Sequence, residues 1–197
     1  MSRAAPSSPC ERGRSWTMTT APDLGAVPLL TPTGQPSSLE PFRGSWLVAQ
    51  LVRYFGCLPC QEWLIELDRQ RPRFEAHGAT VVAIGGSADY QARWLMQERG
   101  VTMPLLLDPD QRVRDAVGLG DPLGWRMLDP RGVASYARTM THGFRPQRIT
   151  RDTVRSPGVV ILDPGLVPRW QFLGRRIGDY PAHSSVESAL GSRVRGI

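Results

Sequence analysis

An apolar run over residues 46–54, Trp-Leu-Val-Ala-Gln-Leu-Val-Arg-Tyr, delivers the chain to Phe55-Gly56-Cys57-Leu58-Pro59-Cys60, where a helical period begins. The run suits a central strand covered on both faces. Behind it Trp63, Leu64, Leu67 and Phe74 recur near three- and four-residue spacing, with charged residues between them. A thiol at the start of such a helix meets unpaired backbone N–H groups and the positive end of the helix dipole, which favour thiolate. Cys57 and Cys60 therefore read as chemistry first and packing second, on an accessible turn.

The rest of the chain repeats the alternation. A short hairpin is expected within residues 23–39 around Thr33-Gly34-Gln35-Pro36. Pro72 falls inside the helical pattern of 58–76 and predicts a kink or an end near it. A buried strand follows at 80–86, a helix from 87 to 98 stopped by Gly100, a short strand at 103–108 and a short helix at 110–117. The order β-α-β-α-β-α points to parallel strands with covering helices. Residues 120–155 break this rhythm, with one helix at 131–140, and then two strands meet tightly across Pro164-Gly165, hence antiparallel, before a helix at 184–190.

At 197 residues the chain suits one core. Residues 1–22, rich in Ser, Pro, Arg and Thr, read as a disordered extension, and Met18 reads as the native start. Lys and Arg number 24 against 18 acidic residues, but the basic excess is spread along the chain as solvated surface, without the stripe that nucleic-acid binding requires. No stretch reaches the roughly 20 apolar residues of a membrane span, and three cysteines make no disulfide framework, so a soluble protein of the reducing cytoplasm is expected.

Cys-x-x-Cys has three uses: zinc binding, inert packing or redox cycling. A structural zinc site takes four ligands, and His77, His142 and His183 are scattered, with no second Cys-x-x-Cys. Leu58 and Pro59 between the thiols, and Gly56 before them, favour a turn over a packed core. Redox cycling is the favoured use.

Taken together, the strand, Cys-x-x-Cys, helix, the β-α-β that follows and a Pro-led closing hairpin resemble a thioredoxin-like α/β fold: a central mixed sheet flanked by helices, with an N-terminal hairpin and a helical insertion at about 120–155. Within it, Arg53-Tyr54-Phe55-Gly56-Cys57-x-x-Cys60, Val160-Ile161-Leu162-Asp163-Pro164-Gly165 and Gly178-Asp179-Tyr180-Pro181 resemble the peroxiredoxin-like AhpC/TSA proteins that carry a Cys-x-x-Cys pair, over about residues 24–190. The resemblance implies a thiol peroxidase acting on hydrogen peroxide or small organic hydroperoxides, with no cofactor and with a thioredoxin-type or low-molecular-weight thiol as reductant. The intact pair equally fits a protein thiol–disulfide oxidoreductase, and a non-enzymatic redox sensor or binding protein on the same fold is the third reading. Cys57 aligns with the exposed thiol of thioredoxins and Cys60 with the peroxide-reactive cysteine of typical peroxiredoxins, so the pair is implied and the order of attack is not. Arg155, and after it Arg53, are the implied catalytic cations. Phe55, Gly56 and Pro59 are the implied substrate contacts, with Ser156 and Pro157, where the fold places a cis-proline, although an X–Pro bond by itself predicts trans. Nothing in the sequence specifies an oligomeric surface.

Overall fold

The computed structural model describes residues 23–86, 88–120, 122–144, 147–148 and 155–196. The expected hairpin is β1 (Leu29–Leu30) and β2 (Pro36–Ser37), paired antiparallel with Leu29 opposite Ser37. The apolar run gives β3 (Trp46–Leu51), and the helical period gives α1 (Leu58–Arg69) and α2 (Arg71–Glu75). The break between them falls at Gln70, so Pro72 stands in the first turn of α2, where its missing N–H removes no helical bond. β4 (Ala79–Gly85), α3 (Asp89–Arg99), β5 (Leu105–Leu107) and α4 (Arg112–Ala116) follow as read, with Gly100 closing α3 in the left-handed region at φ 64°. After the insertion helix α5 (Pro130–Thr141) come β6 (Gly158–Leu162), β7 (Pro168–Leu173) and α6 (His183–Val194), which is longer than its expected span. The readings for residues 1–22, Cys10 among them, for Ser87, and for Asp121, 145–146 and 149–154 within the insertion lie outside the described residues.

Among the described residues seven strands form one mixed sheet in the order β2-β1-β5-β4-β3-β6-β7. β3 runs parallel to β4 and β4 to β5, while β6 lies antiparallel to β3 and β7 antiparallel to β6. Alternate residues of β3 serve two cores. Leu47, Ala49 and Leu51 pack on the face closed by Leu24, Leu39, Val113 and Val117. Trp46, Val48 and Val52 pack on the other with Leu64, Leu67, Phe74, Leu95, Val186 and Leu190, from the helices α1, α2, α3 and α6. Gln50 shares that second face by alternation, and it is the one polar side chain there on β3, fully buried.

α5 starts cleanly because the Asp129 carboxylate accepts a hydrogen bond from Arg131 N at 2.8 Å and Pro130 occupies the first helical position. It lies across α1. Glu62 of α1 accepts from Thr139 Oγ1 and Arg138 Nη2, each at 3.1 Å, through Oε2, and its Oε1 meets His142 Nδ1 at 2.7 Å. Upstream, the Tyr54 and Tyr136 hydroxyls are bonded at 3.0 Å.

Candidate active site

Cys57 is the N-cap of α1 and Cys60 its third residue. Both are free thiols and both are 0% exposed, which corrects the expectation of an accessible turn. Neighbours from elsewhere in the chain close the segment: a Cβ on Gly56 would stand 2.5 Å from Gln91 Nε2 of α3 and 3.0 Å from Gln147 Cβ, and Tyr136 of α5 meets Tyr54 just upstream. Gly56 N donates to Gln91 Oε1 at 2.9 Å, and Phe55, buried, packs its ring where Gly85 leaves space.

Arg53, the second-choice cation of the sequence reading, is buried with its guanidinium Nη1 3.8 Å from Cys57 Sγ. Arg155 points elsewhere: it donates to Gly120 O and pairs with Asp115 Oδ1 at 3.9 Å. A second buried guanidinium, Arg114 of α4, was not foreseen. It donates to Val52 O at 2.9 Å, to Ser156 O and, through Nε, to Gln111 Oε1 at 3.0 Å. Arg114 thus ties the end of β3 to the residues leading into β6, and burial pushes its pKa down to about 10 beside Tyr180, Cys60 and Asp108. In sequence it looked like one more surface arginine of a short helix.

The two thiols share a hydrogen bond and are driven apart. Burial raises the Cys57 pKa, and the bond to Cys60 and its charge raise it further. Burial also acts against ionisation of Cys60, but the Cys57 thiol, the Arg53 charge and the Tyr180 hydroxyl outweigh it and bring Cys60 down to about 7. The shifts run in opposite directions, up for Cys57 and down for Cys60.

Tyr180 reaches Cys60 because its loop is threaded between α1 and α5. Gly178, at φ 71°, makes the turn, and a Cβ there would lie 2.5 Å from Ser135 Oγ and 2.8 Å from Pro59 Cβ. Trp63 anchors the loop by stacking on Tyr180 at 4.8 Å and donating from Nε1 to Pro181 O at 2.9 Å. Ser156 and Pro157 are buried at the head of β6, beside the end of β3, where Pro157 O accepts from Gly174 N at 2.7 Å. No peptide bond among the described residues is cis, so the cis-proline expected from the fold is not found. Among the described residues no group of His, Cys, Asp or Glu gathers as metal ligands, and no helix is long and apolar enough to cross a membrane.

A model of the AhpC/TSA family matches residues 18–167. Among solved structures the chain is similar to Xanthomonas campestris peroxiredoxin Q, at 15% identity and a TM-score of 0.63 over 87% of this chain and 93% of that one. Bacterioferritin comigratory protein of the same organism, described for its alkyl peroxide reduction activity, gives 13% identity and 0.63 over 87% and 94%. Reduced 2-Cys peroxiredoxin of Plasmodium vivax gives 9% and 0.59 over 86% and 91%. These likenesses show the fold; no curated protein sequence matches.

Proposed function

Since the chain belongs to the AhpC/TSA family, we propose that it is a thiol peroxidase in which Cys60 attacks the peroxide and Cys57 resolves the product. The observation that carries the reading is a buried pair of free thiols at the N-terminus of α1 with the Arg53 guanidinium 3.8 Å from Cys57 Sγ, and the opposite shifts of the two, down for Cys60 and up for Cys57, assign the attack to Cys60. The Cys60 thiolate attacks the terminal oxygen of ROOH, the O–O bond breaks, and the alkoxide leaves and takes a proton from solvent. Cys60 is then a sulfenic acid. The Cys57 sulfur attacks it, the S–O bond breaks, and water departs with the Cys57 proton, leaving a Cys57–Cys60 disulfide. A thioredoxin-type or small thiol of a reducing compartment such as the cytoplasm reopens it.

Burial also bears on the thiol–disulfide alternative. A hydroperoxide is small enough to enter a closed site, whereas a protein disulfide needs a docking surface beside an open sulfur, and neither sulfur is open here. The test is one equivalent of hydrogen peroxide added to the reduced protein. Two thiols lost within seconds, and a sulfenic acid trapped by dimedone in Cys57→Ser but absent in Cys60→Ser, are expected. Inertness to peroxide with rapid reduction of insulin disulfides overturns the reading.

A further inference from the structure

Gln50 is the anomaly of the central strand. It stands fully buried on the face that Trp46, Val48 and Val52 give to the core, where an aliphatic side chain packs at no polar cost. Its amide Nε2 donates to Cys60 O at 3.3 Å. A carbonyl accepts only from a donor, so this bond fixes the amide nitrogen toward the backbone of Cys60 and leaves Oε1 as the free end. Oε1 is buried and has no hydrogen-bond partner. An orphaned buried acceptor is destabilising, and this orphan, on the side chain that holds the Cys60 backbone, is matched by another. The Tyr180 hydroxyl interacts with both the Cys60 and Gln50 side chains, yet it too closes no hydrogen bond of ordinary geometry. Around Cys60 there is thus an acceptor without a donor, on the side chain that bonds the Cys60 carbonyl, and a hydroxyl that can give or take.

We propose that Gln50 Oε1 and the Tyr180 hydroxyl hold the oxygen that peroxide transfers to Cys60. This rests on the peroxidase reading. A sulfenic acid S–O–H carries the groups the pair lacks: its hydrogen donates to Gln50 Oε1 and its oxygen accepts from Tyr180 O–H. The same two bonds begin to form as the O–O bond stretches, because the transferred oxygen is then between peroxide and sulfur. Donors and acceptors already aimed at that position lower the barrier without reorganising. Electrons and atoms balance as above, since the pair exchanges no proton with the substrate and only orients the oxygen moving from ROOH to sulfur.

The experiment separates oxygen holding from thiolate activation. In a Cys57→Ser background, Gln50→Leu and Tyr180→Phe are compared with the parent in two reactions of Cys60. One is sulfenic acid formation with hydrogen peroxide, and the other is alkylation by iodoacetamide at a pH high enough to ionise the thiol fully in all three proteins. Peroxide transfers an oxygen and iodoacetamide does not. Each variant is expected to lose at least about ten-fold in the peroxide rate constant and less than two-fold in alkylation, with the melting temperature of Gln50→Leu equal to or above the parent's because the orphan is gone. Gln50→Met, which keeps the length and removes the acceptor, gives the same reading should the branched side chain disturb folding. Unchanged peroxide rates, or equal losses in both reactions, overturn the oxygen site and leave the peroxidase standing. A parent that forms no sulfenic acid overturns both.

Discussion

Arg53 stands where a neutral residue would leave the thiol pair without its nearest cation, and its removal gives the sharpest single-residue test. Cys60 sits at about 7, so the thiolate is complete above pH 8 and its fraction falls about ten-fold per unit well below 7. The rate of peroxide consumption is expected to follow that curve, flat at pH 8 and about ten-fold lower at pH 6. Arg53→Met removes the charge while retaining an unbranched stem, and the alkylation midpoint of Cys60 is expected to move up, toward the ordinary thiol value near 9. Arg53→Lys is expected to restore part of the shift. Alkylation followed from pH 5 to 10 measures both, and a midpoint that stays near 7 in Arg53→Met removes Arg53 from the site. Arg155→Met is the control: its guanidinium is spent on Gly120 O and Asp115, so the midpoint is expected to hold.

At the scale of elements, α5 is the helix laid against α1 and Tyr54 beside the thiol pair. Glu62 is its tether, gathering Thr139, Arg138 and His142 on one carboxylate. Burial pushes Glu62 up, and those three partners outweigh it, holding the carboxylate below its ordinary range. Partly exposed contacts of this kind are worth about 1 kcal/mol or less. Glu62→Ala is therefore expected to speed alkylation of Cys57 and Cys60 up to about five-fold and to raise hydrogen exchange across residues 130–141, with β3 and β6 unchanged. Unaltered alkylation in the variant means that α5 does not control access. The sequence offered a helix at 131–140, but not what it covers. Tyr136 meets Tyr54, and Thr139 and His142 meet α1, only through tertiary packing across about 80 residues, and local periodicity carries no such information. The accessible turn inferred from Gly56, Leu58 and Pro59 failed for the same reason.

Across the whole molecule, what was legible was what alternation encodes. Strand and helix periods fixed β3, β4, the covering helices and the tight β6–β7 connection, and Gly100 and Pro72 punctuated them as their backbone preferences require. The polar interior was hardly legible, because Arg114, Tyr180 and Gln50 look like surface residues until the fold turns them inward; Gln50 stood out in its apolar run and Tyr180 within Gly178-Asp179-Tyr180-Pro181, while Arg114 carried no sign. That buried polarity couples redox state to global stability. A thiol whose folded pKa lies below its ordinary value near 9 adds stability that is full above pH 9 and is lost as pH falls through about 7. Cys57, shifted upward, adds a term that is constant below pH 9. Between pH 6 and 8 the reduced protein is thus expected to gain about 1 kcal/mol from Cys60 alone. For a domain of this size that is a rise of about 2–4 °C in melting temperature relative to Cys60→Ser measured at the same two pH values. Oxidised protein has neither thiol of the pair left to titrate, and its melting temperature is expected to track that of Cys60→Ser across the same window. A reduced protein whose pH dependence matches both shows that Cys60 is an ordinary thiol in the folded state.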